Sequence, residues 1–226
     1  MQTPHIATAA DYADAMLVAR RAKTTIFLIL FFVLLAQISL FFVARYTDYV
    51  IPADAKLLSA TQSVGASNTE KIGNLMHYVL GVTTFMGLTL PILLSFVLLL
   101  IVTIMLVGRL LGVSMVTSAY VWCLLAALLL FPWQALLNNV NLTRDVADFK
   151  IPGVLYTWSE LTHETTGAKF SNSPIFPTAV LGWARFVGFP LLALIFLMIV
   201  QIKSNKGIRQ ALGETAPELD DLSTPD

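Results

Sequence analysis

Charged residues are scarce in this chain and are missing from its long hydrophobic stretches. The 226 residues include 14 Lys and Arg and 14 Asp and Glu, so that 12% are charged, whereas soluble domains carry roughly 25%. This composition supplies too few ionic groups for a hydrated surface, and it excludes a soluble globular protein. The equal numbers of acids and bases leave no basic field, so we expect no nucleic-acid partner.

Cysteine and histidine are also rare. The single cysteine, Cys123, excludes an intrachain disulfide and a multi-cysteine metal site. Of the three histidines, only His77 falls in an apolar tract, while His5 and His163 lie outside. Because a membrane haem usually needs two axial histidines, a bis-histidine haem is excluded within one chain, and we expect no cofactor.

Four tracts contain no Asp, Glu, Lys or Arg: residues 24–44, 72–108, 110–143 and 186–202. A bilayer core of about 30 Å requires about 20 apolar helical residues per crossing. We therefore predict an all-α, polytopic membrane helix bundle with four transmembrane helices. The tract 72–108 is long enough to cross twice, which would give five. We favour one crossing near residues 88–107, with His77 and Tyr78 at or above the interface.

The basic residues near the span ends predict the orientation, because Lys and Arg accumulate on the cytoplasmic side. With four spans, the cytoplasmic side holds a clustered set of topology anchors: Arg20, Arg21, Lys23, Arg109, Lys203, Lys206 and Arg209. The prediction is a cytoplasmic segment 1–23, a bundle 24–202 with outer loops 45–71 and 137–177, and a cytoplasmic, acidic, disordered tail 203–226. We place both termini in the cytoplasm and the protein in a plasma or inner membrane.

Two polar residues lie in or beside the predicted spans. Arg185 precedes the last tract, and an arginine at that depth is a functional-site hypothesis by default. We interpret it as a lipid anchor whose side chain extends to the headgroups beside Trp183. Gln37 lies in the first span, and we predict that it forms an intramembrane polar contact with a neighbouring helix.

One cluster has the residue types of a metal site. Glu160, His163 and Glu164 would share one face of a helical turn. The order differs from HExxH and a second ligand helix is missing, so a solvated helix face explains the cluster better.

The predicted layout resembles that of tetraspanins, claudins and MARVEL proteins in topology alone, since the outer-loop cysteines of tetraspanins and claudins are missing. The uniformly apolar spans favour a non-catalytic accessory or scaffold subunit that organises lipids, other membrane proteins or copies of itself. A small-solute transporter or channel, active as an oligomer, is the first alternative. A membrane-embedded enzyme is the second.

Overall fold

The chain forms four long helices. A computed structural model describes residues 9–47, 66–131, 133, 154–156, 158, 161 and 183–214. Helix α1 is Ala9–Tyr46, α2 is Ala66–Val107, α3 is Val113–Leu130 and α4 is Phe189–Ala211, and a π-helical turn, Ala184–Gly188, leads into α4. The described residues include no β-strand. All four helices are long and apolar enough to cross a membrane, which confirms the four-span prediction. The chain is a multi-pass membrane protein.

The second tract forms a single helix. At 42 residues, α2 is roughly 63 Å long and exceeds the bilayer core, so its first turns extend beyond the apolar layer. The five-span alternative is therefore wrong. Helix α1 also extends past its apolar tract, because the helix runs from Ala9 through Lys23 without a break.

The helices form an antiparallel bundle in which each packs against two neighbours. The contacting pairs are α1 with α2, α2 with α3, α3 with α4, and α4 with α1. The end of α1 meets the start of α2, where Phe41 and Ala44 cluster with Met76 and Leu80. A larger apolar core drawn from all four helices fills the rest of the bundle.

We name the two ends of the bundle by their residues. The basic end comprises residues 12–25, 108–112 and 203–214. The aromatic end comprises residues 41–47, 71–81, 154–156, 158, 161 and 183–188.

A tight corner joins α2 to α3 at the basic end. Arg109 has a φ of 50°, and the Leu110 amide donates to the Met105 carbonyl at 2.9 Å. This is the Schellman arrangement that closes a helix C-terminus. Gly112 has a φ of 84°, which favours glycine, and it precedes the first residue of α3.

The start of the fourth span has a wider helical turn than the rest. The Phe189 amide donates to the Ala184 carbonyl, five residues back. Pro190 explains this turn, because proline has no amide hydrogen and its ring would collide with the carbonyl four residues earlier. At the other end, α4 continues to Ala211, so residues 203–211 are helical although the sequence placed them in the disordered tail.

Candidate functional site

A short segment, residues 154–156, packs into the aromatic end of the bundle. The Val154 amide donates to the Leu129 carbonyl at 3.3 Å. The Tyr156 hydroxyl donates to the Gln37 carbonyl at 2.6 Å. Burial raises the pKa of Tyr156 above its usual range, which keeps the hydroxyl protonated as a donor. These bonds attach the segment to α1 and α3.

An aromatic cluster supports the same segment from behind. The Phe41 and Phe186 rings are stacked with their centroids 4.8 Å apart, and the Tyr156 ring meets Phe186 edge-on at 5.0 Å. Trp183 meets Phe41 edge-on at 5.7 Å. The π-helical turn contributes to this cluster because it buries two consecutive residues, Arg185 and Phe186.

A groove of about 370 Å³ lies between α2 and residues 155, 156 and 158. We call it the lateral groove. One wall is a stripe along α2 that comprises His77, Leu80, Gly81, Thr84, Phe85 and Leu88. The other wall is made of Leu155, Tyr156 and Trp158. Leu80 and Tyr156 are buried on the side that faces the bundle, while Phe85 is 67% exposed on the side that faces away from it. The groove therefore opens on the side of the bundle and not along its axis.

Two polar residues, Gln37 and Arg185, are buried. Gln37 is 0% exposed, and neither atom of its side-chain amide has a hydrogen-bond partner among the residues that the structure describes. The described residues therefore do not show the side-chain contact with a neighbouring helix that the sequence predicted; the backbone carbonyl of Gln37 instead accepts the Tyr156 hydroxyl. Arg185 is 6% exposed. Most of its surface is packed against other residues of the chain, and its interpretation as a lipid anchor stays a prediction.

Lys23 connects α1 to α4 at the basic end. Its ammonium donates to Ser204 Oγ at 2.8 Å and to Asn205 Oδ1 at 2.6 Å, and the residue is completely buried. Both acceptors are neutral, so the buried charge depends on hydrogen bonds in place of an ion pair. Lys23 is thus a structural element of the helix interface, in addition to its predicted place among the topology anchors.

Other basic anchors also make contacts across this end. Arg20 Nη1 lies 3.2 Å from Glu214 Oε1, and Arg209 Nε lies 3.4 Å from Glu214 Oε2. Lys203 donates to Ser118 Oγ at 2.9 Å and links α4 to α3. Arg21, Arg109 and Lys206 are exposed at the same end. The fold thus brings together the basic residues that the sequence grouped on one side.

The metal candidates Glu160, His163 and Glu164 lie outside the described residues. Within the part of the chain that the structure does describe, no three His, Cys, Asp or Glu side chains are close enough to share a metal ion. His77 lies at the aromatic end, where its ring meets Trp158 edge-on at 5.5 Å.

The lateral groove was not anticipated from the sequence. Its α2 wall repeats at helical spacing, with Gly81 and Thr84 as small members, but the same pattern occurs on many packed helices. The second wall comes from a loop without a periodic signal. Only the folded chain brings the two walls together.

Comparison with known proteins found no similarity: no protein family, curated protein or solved structure matches this chain at a significant level.

Proposed function

We propose that this protein is a non-catalytic, four-span membrane protein that organises neighbouring lipids, other membrane proteins or copies of itself. In this proposal it resides in a plasma or inner membrane with both termini in the cytoplasm. Its contacts are made through the flanks and the two ends of the bundle.

The observation that carries the proposal is the packed axis of the bundle. Leu30 and Leu34 of α1 belong to the same buried apolar cluster as Leu98 of α2, Cys123 of α3 and Leu197 of α4. These side chains occupy the centre, where a solute pathway through one chain would have to pass. Among the described residues, the surfaces that remain for recognition are the lateral groove, the basic end and the flanks.

The basic end supports a role at a charged membrane surface. Arg21, Arg109 and Lys206 are exposed there, and cations beside a span attract anionic headgroups by about 1 kcal/mol each. This attraction would hold the bundle at a fixed depth and enrich acidic lipids around it.

The test combines extraction in mild detergent with native mass spectrometry. We expect the chain to retain a stoichiometric lipid or protein partner, and we expect the pure protein in liposomes to pass neither small ions nor a neutral sugar. A bare chain without any retained component, or solute flux through the reconstituted protein, would contradict the proposal.

A small-solute transporter or channel remains the second candidate because of Gln37. Its buried side-chain amide has unsatisfied hydrogen-bonding capacity within the described part of the bundle, and such groups mark some solute pathways. If flux is found, Gln37→Leu should abolish it, whereas Gln201→Leu in α4 serves as the matched control.

A further inference from the structure

We propose that the lateral groove is a binding site for one acyl chain of a phospholipid, with the lipid headgroup beside His77. The lipid belongs to the leaflet at the aromatic end. This inference deepens the proposed function, on which it rests, because it names a specific lipid contact.

The groove has the length of one leaflet, and it lies at the level of the apolar tract of α1, since Phe41 near the end of that tract clusters with Leu80. The outer edge of the apolar layer then lies near His77, earlier along α2 than the crossing at residues 88–107 that the sequence predicted. From His77 to Leu88 the α2 stripe advances by eleven residues, or roughly 16 Å along a helix. Half of a bilayer core of about 30 Å is about 15 Å. The stripe is one helix face wide, so it accommodates a single extended acyl chain that lies parallel to α2.

The groove changes from polar to apolar along its length. His77 and Trp158 are at its outer end, and Leu88, Phe85 and Leu155 are deeper. An imidazole N–H can donate to a phosphate or ester oxygen, and tryptophan favours the membrane interface. A molecule with one polar end and one long apolar chain matches this order.

The surroundings determine what covers the groove. Gly81 and Phe85 are exposed on the flank of a membrane-spanning helix. In a bilayer this flank faces lipid, so an acyl chain is the neighbour that is always present. An acyl chain in the groove gains binding energy over one on a flat helix surface, because it makes apolar contacts with two walls instead of one.

The groove is already formed because its loop wall is held at several points. Tyr156 is hydrogen-bonded to α1, and Leu155 packs so closely on Gly87 that a Cβ there would lie 2.7 Å from Leu155 Cδ2. A preformed cavity spares the bound chain the cost of ordering the protein.

Gly81 is the position from which the site can be closed. A Cβ at Gly81 would have no heavy atom within 4 Å. Larger side chains can therefore enter the groove without a clash in the bundle, and glycine is the least favourable residue for a helix apart from proline. The series Gly81→Ala, Gly81→Leu and Gly81→Phe should fill the groove stepwise while the fold is retained.

The experiment measures lipid binding by tryptophan quenching. Trp122, Trp133 and Trp183 are replaced by Phe, so that only Trp158 in the groove fluoresces. The full-length protein in detergent micelles is titrated with a phosphatidylcholine that is brominated in the middle of one acyl chain.

We expect saturable quenching of Trp158 at about one lipid per protein molecule, and we expect native mass spectrometry to detect a retained phospholipid. Both signals should weaken through the Gly81 series and be lost in Gly81→Phe.

Gly188→Phe is the matched control, because a Cβ at this exposed position meets only ordinary contacts, at 3.7 Å from Ala184 Cβ. It should bind like the parent. Equal quenching and lipid retention in the parent and Gly81→Phe would overturn the site, as would retention of only an isoprenoid or sterol. If the lipid site is overturned in this way, a protein partner that co-purifies with the parent and with Gly81→Phe would leave the proposed function standing.

Discussion

At the scale of single residues, Tyr156 fixes the position of the groove wall. Its buried hydroxyl donates to the Gln37 carbonyl at 2.6 Å. We expect Tyr156→Phe to lower the free energy of unfolding by about 1–2 kcal/mol, since the ring packing is kept and one buried hydrogen bond is lost. Equilibrium unfolding in detergent measures this change. Tyr78→Phe is the control, because Tyr78 is 73% exposed. Equal stability of Tyr156→Phe and the parent would show that the bond contributes nothing.

Lys23 makes a second residue-scale prediction possible. Asn205 accepts a hydrogen bond from the buried ammonium at 2.6 Å, so Asn205→Ala leaves the charge with fewer partners. We expect a loss of about 2 kcal/mol in unfolding free energy, in the range for hydrogen bonds to charged groups.

A double-mutant cycle isolates this contact. In a Lys23→Met background the ammonium is absent, and we expect Asn205→Ala to cost less than about 1 kcal/mol. The same cost in both backgrounds would mean that Asn205 acts through packing and not through Lys23. The cycle is read by unfolding in the same detergent.

At the scale of helices, the closest approach joins the start of α3 to the end of α4. A Cβ at Gly207 would lie 2.6 Å from Val116 Cγ2 and 2.9 Å from the Gly112 carbonyl oxygen. We expect Gly207→Ala to destabilise the bundle by about 1–3 kcal/mol through this overlap, although alanine favours a helix by about 1 kcal/mol. Thermal unfolding of the purified protein measures the net effect.

Gly188→Ala is the comparison for this helix pair. Ala184 and Gly188 have the small-x-x-x-small spacing that often marks a close contact between membrane helices. In the structure Gly188 is exposed and its nearest neighbours belong to its own turn. We therefore expect Gly188→Ala to be neutral or mildly stabilising. A larger loss from Gly188→Ala than from Gly207→Ala would contradict this assignment of the contact.

The difference between these two glycines shows what the sequence could provide. The four spans followed from length and charge, because the bilayer imposes a minimum length on each helix. Which small residue meets a neighbouring helix depends on helix rotation, and in this bundle the π-helical turn before Pro190 changes that rotation. The burial of Lys23 and Arg185 likewise depends on how the helices pack against each other, which no local sequence pattern encodes.

At the scale of the whole molecule, the two ends of the bundle have different chemistry. The basic end collects the cations of α1, the α2–α3 corner and α4, whereas the aromatic end contains Phe41, Tyr156, Trp183 and Phe186. The charge asymmetry arises because the helices are antiparallel: the start of α1, the α2–α3 corner and the end of α4 all lie at the same end of the bundle. Lys and Arg accumulate on the cytoplasmic side of membrane proteins, so the cations gathered at the basic end predict that this end faces the cytoplasm.

Cysteine labelling tests this orientation with little background. The single natural thiol, Cys123, is buried in the core, so the parent chain should remain unlabelled by a membrane-impermeant maleimide and serve as the baseline. Tyr78 and Arg109 are exposed at opposite ends of the bundle. We expect Tyr78→Cys to be labelled in intact cells, and Arg109→Cys only after permeabilisation, because the clustered cations hold the basic end on the cytoplasmic side. Labelling of Arg109→Cys in intact cells and of Tyr78→Cys only after permeabilisation would show the opposite orientation, with the lateral groove in the cytoplasmic leaflet. Labelling of both variants from outside would show that α2 does not span the membrane between residues 78 and 109.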